Sequence, residues 1–406
     1  MVNPFDLNLR HLRALGSIVR LGSMRAAAED AGLSQPALTQ GLARLEERLG
    51  VVLFDRRHDG VAATEAGRVM ADRASAAFER LHAATKAGGR GFSRPELLMT
   101  STQLRAFLAV ADHGGFASAA QATGMSAPSL HRAVRDLGEI GRHSLFASHG
   151  RGVQLTPAGH RLVRGVRLAA TEISAGIGEV CGEQEAIDGV IVGAMPLARA
   201  RVLPEAIAQF LNGRPRSSLR VVEGSWRELV EPLIDGVIDF MIGALREEIP
   251  PDLEQRMLLR DELIVVGRAG HPLAGKDPTI AELSGYEWVV PAVGAPLRSQ
   301  WTALFDEVGH PPAPVECGSI MVIRGILAGT DLLTLLSPGQ VSVEIESGLL
   351  SRIGKPVAHG VRTVGITCRR GWRPTSVQRR FMDCLEQVAS EKIPENLSAA
   401  PVPIGR

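Results

Sequence analysis

The chain has 406 residues, 45% of them hydrophobic and 22% charged, with a formal net charge of +1. This is ordinary globular composition, and about 150 residues per domain predicts two to four domains. It excludes a largely disordered chain or one of single-signed charge. The balance is nonetheless uneven: residues 1–95 carry 14 Lys and Arg against 10 Asp and Glu, residues 96–187 carry 8 against 8, and the remainder 23 against 26. A basic front and a mildly acidic back predict different partners for the two ends. The start, MVNPFDLNLRHLR, lacks an apolar stretch, so no secretory signal is expected. No uncharged apolar run of membrane-spanning length occurs, and a soluble, cytoplasmic protein is expected. Cys181, Cys317, Cys368 and Cys384 form no C-x-x-C pair, which predicts isolated thiols and no metal or other cofactor.

In residues 1–65, Leu9, Leu12, Leu15 and Ile18 recur at helical spacing. Gly22 breaks that helix and Ser23 can cap the next, a short Ala-rich one around Ala26–Ala31. Ser34-Gln35-Pro36 opens a third helix, with Leu38, Leu42, Leu45 and Leu49 on its buried stripe. Val51–Phe54 and Val61–Ala63 read as a hairpin around a basic tip, Arg56-Arg57. These elements spell a winged helix-turn-helix. Ser34, Gln35, Pro36, Thr39, Gln40 and Arg44 would face DNA, and Arg56 and Arg57 would reach its backbone. The alternative reading is a small helical domain with a hydrated polar face.

Residues 66–91 read as a linker helix ending at a Gly-rich joint, Gly88–Gly91. A shift of 92 residues then lays 12–67 on 104–159 without a gap, with 19 of 56 positions identical. Residues 92–157 are therefore a second winged unit, and the chain carries a duplication. Its DNA face would comprise Ser126, Ser129, His131, Arg132, Arg135 and Arg151. Gly138 and Gly141 stand near the end of its third helix, where Gly costs about 1 kcal/mol relative to Ala, so that helix is expected to end early. Two readings stay open: weaker DNA contact by this copy, or a degenerate copy kept for packing. Residues 158–186 hold a second linker helix, with Leu162, Val166, Ala169, Ile173, Ile177 and Val180 on an a/d-like seam.

From residue 187 the period changes. Strands at Val190–Ala194, Leu219–Gly224 and Asp239–Gly243 alternate with helices near 200–212 and 226–236, which predicts a mostly parallel sheet. A second lobe starts near Glu262–Gly267 and takes in Trp288–Pro291, Val315–Cys317 and Leu332–Leu336, with helices near 297–308 and 320–328. The two lobes occupy 187–392, and 393–406 is a Pro-containing tail. The fold class is thus two tandem α+β winged helix-turn-helix domains with linker helices, then a two-lobed α/β domain of periplasmic-binding-protein type with a ligand cleft between lobes.

The run A-A-A-E-D-A-G-L-S-Q-P-A-L-T-Q-G-L-A-R-L-E-E-R-L-G-V-V-L-F-D-R, followed by T-E-A-G at Thr64–Gly67, resembles the LysR-type regulator signature. V-G-A-M-P-L-A-R-x-x-V-L-P, V-V-E-G-S, G-x-I-D-F-M-I-G-A-L-R and G-x-x-H-P-L resemble its effector domain. Such regulators carry one winged domain, a dimerising linker helix and a two-lobed sensor, whereas this chain carries two winged copies. The resemblance implies a ligand-responsive transcription regulator, not an enzyme, with double-stranded DNA, a small effector and RNA polymerase as partners. It implies homo-oligomers, dimeric or tetrameric, and no membrane. Where two chains ordinarily pair their linker helices, this chain could pair its own two. The resemblance places the effector at the first turn (Leu197, Arg199), the second (Ser225, Trp226) and, in the second lobe, at Pro291, Leu297, Arg298, Ser319 and Ile320. Leu197 stands where relatives have Ser or Thr. The effector expected is a small carboxylate, aromatic or sugar-derived. An enzyme or a transport-type solute-binding module on the lobed fold is the competing class. No G-x-S-x-G, H-E-x-x-H, Walker loop or G-x-G-x-x-G is present to support an enzyme, and His271 reads as a structural turn residue.

Overall fold

The computed structural model describes residues 2–57, 60–86, 94–150, 152–181, 189–213, 218–357 and 360–390. The joint at 88–91, the tip residues His58, Asp59 and Arg151, and the tail from 391 lie outside the described residues.

The first unit runs α1 (Leu9–Leu21), α2 (Met24–Ala31), α3 (Gln35–Leu49), β1 (Phe54–Arg57) and β2 (Gly60–Ala63), and leads into α4 (Glu65–Lys86). The second runs α5 (Ser101–His113), α6 (Phe116–Thr123), α7 (Ala127–Gly141), β3 (Phe146–His149) and β4 (Gly152–Leu155), and leads into α8 (Pro157–Cys181). The caps are those the composition suggests. Ser23 accepts the amide of Ala26, Ser34 that of Ala37, and Ser126 that of Ser129. Gly22, Gly32 and Gly50 end the first three helices in the left-handed conformation.

The expectation that α7 ends early is corrected. Both α3 and α7 have 15 residues, and α7 runs through Gly138 to Gly141. Leu130, Ala133, Val134 and Leu137 bury one face of α7. Each buried Val or Leu side chain contributes about 1.5–3 kcal/mol, more than a helical glycine costs. Arg142 then closes the helix at φ 53, with its amide bonded to the carbonyls of Gly138 and Glu139.

The repeated T-x-A-G has a backbone cause. Thr64 Oγ1 donates to the carbonyl of Leu53 and accepts the amide of Gly67; Thr156 repeats this with Leu145 and Gly159. A Cβ at Gly67 would lie 2.0 Å from the Leu53 carbonyl oxygen, and one at Gly159 2.1 Å from that of Leu145. Wing and linker helix thus meet backbone to backbone. Gly67→Val is expected to destabilise the first winged unit by about 1–3 kcal/mol or more, measured by urea unfolding.

The linker helices α4 and α8 pack antiparallel. The Gly165 backbone sits against Ala84, and Gly176 against Arg73 and Met70. The 92-residue shift that relates the copies converts the first contact into the second: 73 corresponds to 165, and 84 to 176. The pair is therefore related by a local pseudo-two-fold axis within one chain. The short 3-10 turn that precedes each winged unit obeys the same exchange, Pro4–Asp6 packing on α8 and Pro95–Leu97 on α4. Arg73, 4% exposed, lies between the helices. It donates to Glu172 at 2.9 Å, to Glu179 at 3.2 Å through Nε, and to the carbonyl of Arg373 at 3.2 Å.

The back half has two lobes. Lobe one contains β5 (Val190–Ala194), α9 (Val202–Gly213), β6 (Leu219–Glu223), α10 (Trp226–Ile234), β7 (Phe240–Ala244) and β8 (Leu253–Asp261). Lobe two contains β9 (Ile264–Arg268), α11 (Ile280–Ser284), β10 (Val289–Val290), α12 (Pro296–Phe305), β11 (Val315–Glu316), α13 (Ile320–Ala328), β12 (Thr334–Leu336), α14 (Ser342–Glu346) and β13 (Leu350–Ile353). The chain returns to lobe one through β14 (Arg362–Arg369) and α15 (Ser376–Ser390). The lobe-one order is β6-β5-β7-β14-β8. β5 is parallel to β6 and β7, but β14 is antiparallel to both its neighbours, and β9 is antiparallel to β12 and β13. The strands of the predicted alternation, β5, β6 and β7, are parallel as expected; the strand that runs against its neighbours in each lobe, β14 or β9, is one that follows a crossing between lobes. At the crossing, Asp261 accepts from Ser337 and pairs with Arg362 at 2.8 Å.

Candidate nucleic-acid interface and effector site

On α3 the buried stripe Leu38, Leu42, Leu45 and Leu49 fixes which face is free. Ser34, Gln35, Pro36, Gln40 and Arg44 are exposed and Thr39 half-buried. This face begins at the helix N-terminus, whose partial positive charge suits phosphate, although Pro36 carries no amide hydrogen and Ser34 takes that of Ala37. Arg56 and Arg57 lie on β1, paired with Val61 and Gly60 of β2. A close contact seats α3: a Cβ at Gly41 would meet the His11 ring at 2.3 Å, so that ring lies on the helix backbone.

On α7, Ser126, Ser129, His131, Arg132 and Arg135 are exposed. His131 stacks on Phe116 of α6, with ring centroids 3.7 Å apart and planes 14° apart, so a packing partner already holds it. Arg135 stands 3.6 Å from Asp136 and 3.8 Å from Glu139, which weakens it as a phosphate ligand. Arg151 lies outside the described residues. The charged side chains on the exposed face of α7 are thus more engaged with neighbours than those on α3.

In lobe one the strand ends bring the effector candidates together. Leu197 is half-buried in a 3-10 turn, Pro196–Ala198, directly after β5. Arg199 donates to the Ala194 carbonyl at 3.0 Å, to Glu223 at 2.8 Å and to the Gly224 carbonyl at 3.4 Å. Ser225 caps α10, its amide bonded to Glu228 at 2.7 Å. This bond and that of the Ser225 hydroxyl hold the Glu228 carboxyl below its ordinary pKa. Trp226 is half-buried beneath the Arg246 guanidinium, 5.0 Å from the ring centroid.

In lobe two, Arg298 donates to the Pro291 carbonyl at 3.2 Å, lies 5.0 Å over Trp301 and stands 4.0 Å from Glu316. Leu297 packs into the core beside Trp301. Ser319 precedes α13 and Ile320 begins it; the Ser319 hydroxyl makes no capping bond. The candidates therefore form one group per lobe. Glu223, Arg246 and Glu316 belong to these groups and escape the sequence reading, although Arg246 ends the quoted stretch G-A-L-R.

His271 is a buried turn residue. Its Nδ1 accepts the Leu273 amide at 3.1 Å, and its Nε2 lies 3.1 Å from the Asp331 carbonyl. Burial lowers its pKa from the ordinary 6.5, with Asp331 acting the other way. The unfolded chain therefore binds the proton more readily, and stability is expected to fall as pH drops below 6.5. His271→Asn should flatten that acid-side loss in a series of thermal unfolding curves between about pH 7 and pH 5. Among the cysteines, burial pushes the Cys368 thiol up to about 12 and raises that of Cys384, so neither favours the nucleophilic thiolate.

The profile of the bacterial regulatory helix-turn-helix protein, lysR family, matches twice, at residues 9–68 and 101–160. That of the LysR substrate binding domain matches residues 188–390. The HTH-type transcriptional regulator GalR of Pseudomonas putida is 30% identical over 389 residues, covering 95% of this chain and 98% of its own. The HTH-type transcriptional regulator PcaQ of Agrobacterium fabrum is 26% identical, covering 71% of this chain and 94% of its own. The first alignment spans both winged units, whereas the second leaves part of this longer chain uncovered. Among solved structures, a full-length OxyR variant from Pseudomonas aeruginosa superposes with a TM-score of 0.55 at 22% identity, over 71% of this chain and 96% of that one. ArgP from Mycobacterium tuberculosis gives 0.57 at 14% identity, over 71% and 96%. These two show a shared fold. Among the described residues, no helix is long and apolar enough to cross a membrane.

Proposed function

Because the chain belongs to the LysR family of DNA-binding transcriptional regulators and carries that family's effector-binding domain, we propose that both winged units of one chain contact the same DNA duplex. The antiparallel α4–α8 pair carries this reading. Each winged unit precedes the first residue of its linker helix, so antiparallel packing sends the units to opposite ends. Helices of 22 and 25 residues are about 33 and 38 Å long, close to the roughly 34–36 Å separation of adjacent half-sites. Ser34, Gln35, Pro36, Thr39, Gln40, Arg44, Arg56 and Arg57 form the stronger face. Ser126, Ser129, His131, Arg132, Arg135 and Arg151 form the weaker one. Homo-oligomerisation, as a dimer or tetramer, and contact with RNA polymerase belong to the same proposal.

The effector we assign to the two lobe groups is a small carboxylate, aromatic or sugar-derived. Arg199 and Arg298 each already face a glutamate, Glu223 and Glu316. A ligand that offers both acceptors and hydroxyl donors, such as a hydroxy acid, satisfies both members of each pair. At the start of α12, where Pro296 has no amide hydrogen and the Ala295 and Arg298 amides are already bonded, the Leu297 amide suits its carboxylate. Binding acts on DNA only through a difference in affinity between two lobe arrangements.

The test is a gel-shift titration of the intact protein on DNA upstream of its own gene, with and without a panel of hydroxy and aromatic acids. Binding that one acid shifts, and that Arg298→Ala desensitises, supports the reading. A panel without effect on either binding or thermal stability overturns the effector class.

A further inference from the structure

A cleft of about 450 Å³ lies where lobe one meets the linker pair. Its wall holds five guanidinium groups, those of Arg80, Arg161, Arg164, Arg369 and Arg370, and one carboxylate, Asp252. Arg80 comes from α4, Arg161 and Arg164 from α8, Arg369 from the end of β14 and Arg370 from the position just after it. Three separate elements thus converge on one concavity, and its size falls within the range of small-molecule sites, roughly 300–1,000 Å³.

These cations are only partly engaged. Arg161 is exposed and, among the described residues, forms no ion pair or hydrogen bond. Arg80 reaches Glu172 only at 3.9 Å and the Gly371 carbonyl at 3.5 Å. Arg164 is held through Nε by Asp235 at 2.9 Å, while its terminal nitrogens stand 3.9 and 4.0 Å from Glu231 and Asp252. Arg369 is fixed by the carbonyls of Leu233 and Ile238, and Arg370 by those of Pro251 and Leu253. Glu172, Glu231 and Asp235 touch these arginines without lining the cleft. Arg369 and Arg370 are therefore held in place by backbone carbonyls; the Asp239 carboxylate offsets part of the Arg369 charge, and no ion pair engages Arg370 among the described residues.

We propose that this cleft binds a compact polyanion, a phosphorylated or polycarboxylic small molecule, at a second site distinct from the lobe groups around Arg199 and Arg298. Several guanidinium forks around one concavity match the planar, multidentate acceptors of phosphate and carboxylate groups. An occupant bridges α4 and α8 to lobe one, so it couples sensor position to the placement of the winged units.

The test uses the full chain and two probes, inorganic pyrophosphate and citrate, by isothermal titration calorimetry at constant ionic strength with chloride as the balancing anion. Saturable 1:1 binding of either probe is expected, with Arg161→Glu weakening it at least tenfold. Arg80→Gln is expected to do the same, and the exposed Arg161 variant to keep its unliganded melting temperature. Arg298→Ala should leave this binding intact, which separates the site from the lobe-group effector. Preference for one probe identifies the phosphorylated or the polycarboxylic source. The proposal is overturned by no saturable binding, or by binding that neither Arg161→Glu nor Arg80→Gln weakens. Arg161→Glu reducing only DNA affinity, with no small-anion binding, overturns it in favour of a DNA-backbone contact.

Discussion

Arg73→Ala is expected to lower the unfolding free energy of the N-terminal half by about 3–5 kcal/mol, the cost of removing one partner of a buried ion pair. Glu172 is 8% exposed, so the variant strands its carboxylate in the helix interface with only Arg80, at 3.9 Å, beside it, whereas Glu179, 26% exposed, turns to solvent. Arg73 also donates to the Arg373 carbonyl, and Arg373 pairs with Asp72, so the same change loosens lobe one from the linker pair. Urea unfolding followed by circular dichroism measures the loss. Replacing Arg73 and Glu172 together by Leu should recover part of it, because well-packed apolar groups can stand in for a buried pair. A change below about 1 kcal/mol for Arg73→Ala would show that the helices do not pack around this residue.

The second large effect is expected at α3. Gln40→Ala with Arg44→Ala should weaken operator binding by roughly 10–100-fold for each side chain truncated, or about 1–3 kcal/mol each. Removing an arginine from a phosphate also lowers the salt slope by about one. Arg132→Ala with Arg135→Ala on α7 should cost less, since Arg135 already shares its charge with Asp136 and Glu139. Fluorescence anisotropy over a salt series separates the two faces. Equal losses would mean that the copies read DNA equally, and no loss from the α7 pair would make the second unit architectural.

The duplicated unit is legible in the sequence because its identities mark backbone necessities. Gly67 and Gly159 admit a carbonyl, Thr64 and Thr156 cap a helix, and Leu12 and Leu104 are buried. Local chemistry of this kind needs only neighbouring residues. The length of α7 is not, because glycine propensity is local, whereas burial of Leu130 and Leu137 is set by α5 and the rest of the unit. The insertion of β14 between β7 and β8, and the docking of Arg373 on Arg73, join residues roughly 100 and 300 positions apart, a distance over which periodicity carries no signal. The effector candidates follow from strand ends. Their counter-charges, Glu223 and Glu316, lie on other strands and emerge only once the sheets are assembled.

Under the proposal, one chain presents two DNA-reading helices. Hydroxyl-radical footprinting of the intact protein on its operator, compared with the Arg132→Ala/Arg135→Ala variant, tests it most directly. Two protected blocks about one helical turn apart are expected, one of which fades in the variant while the other persists. Footprints that are identical for the two proteins would contradict it.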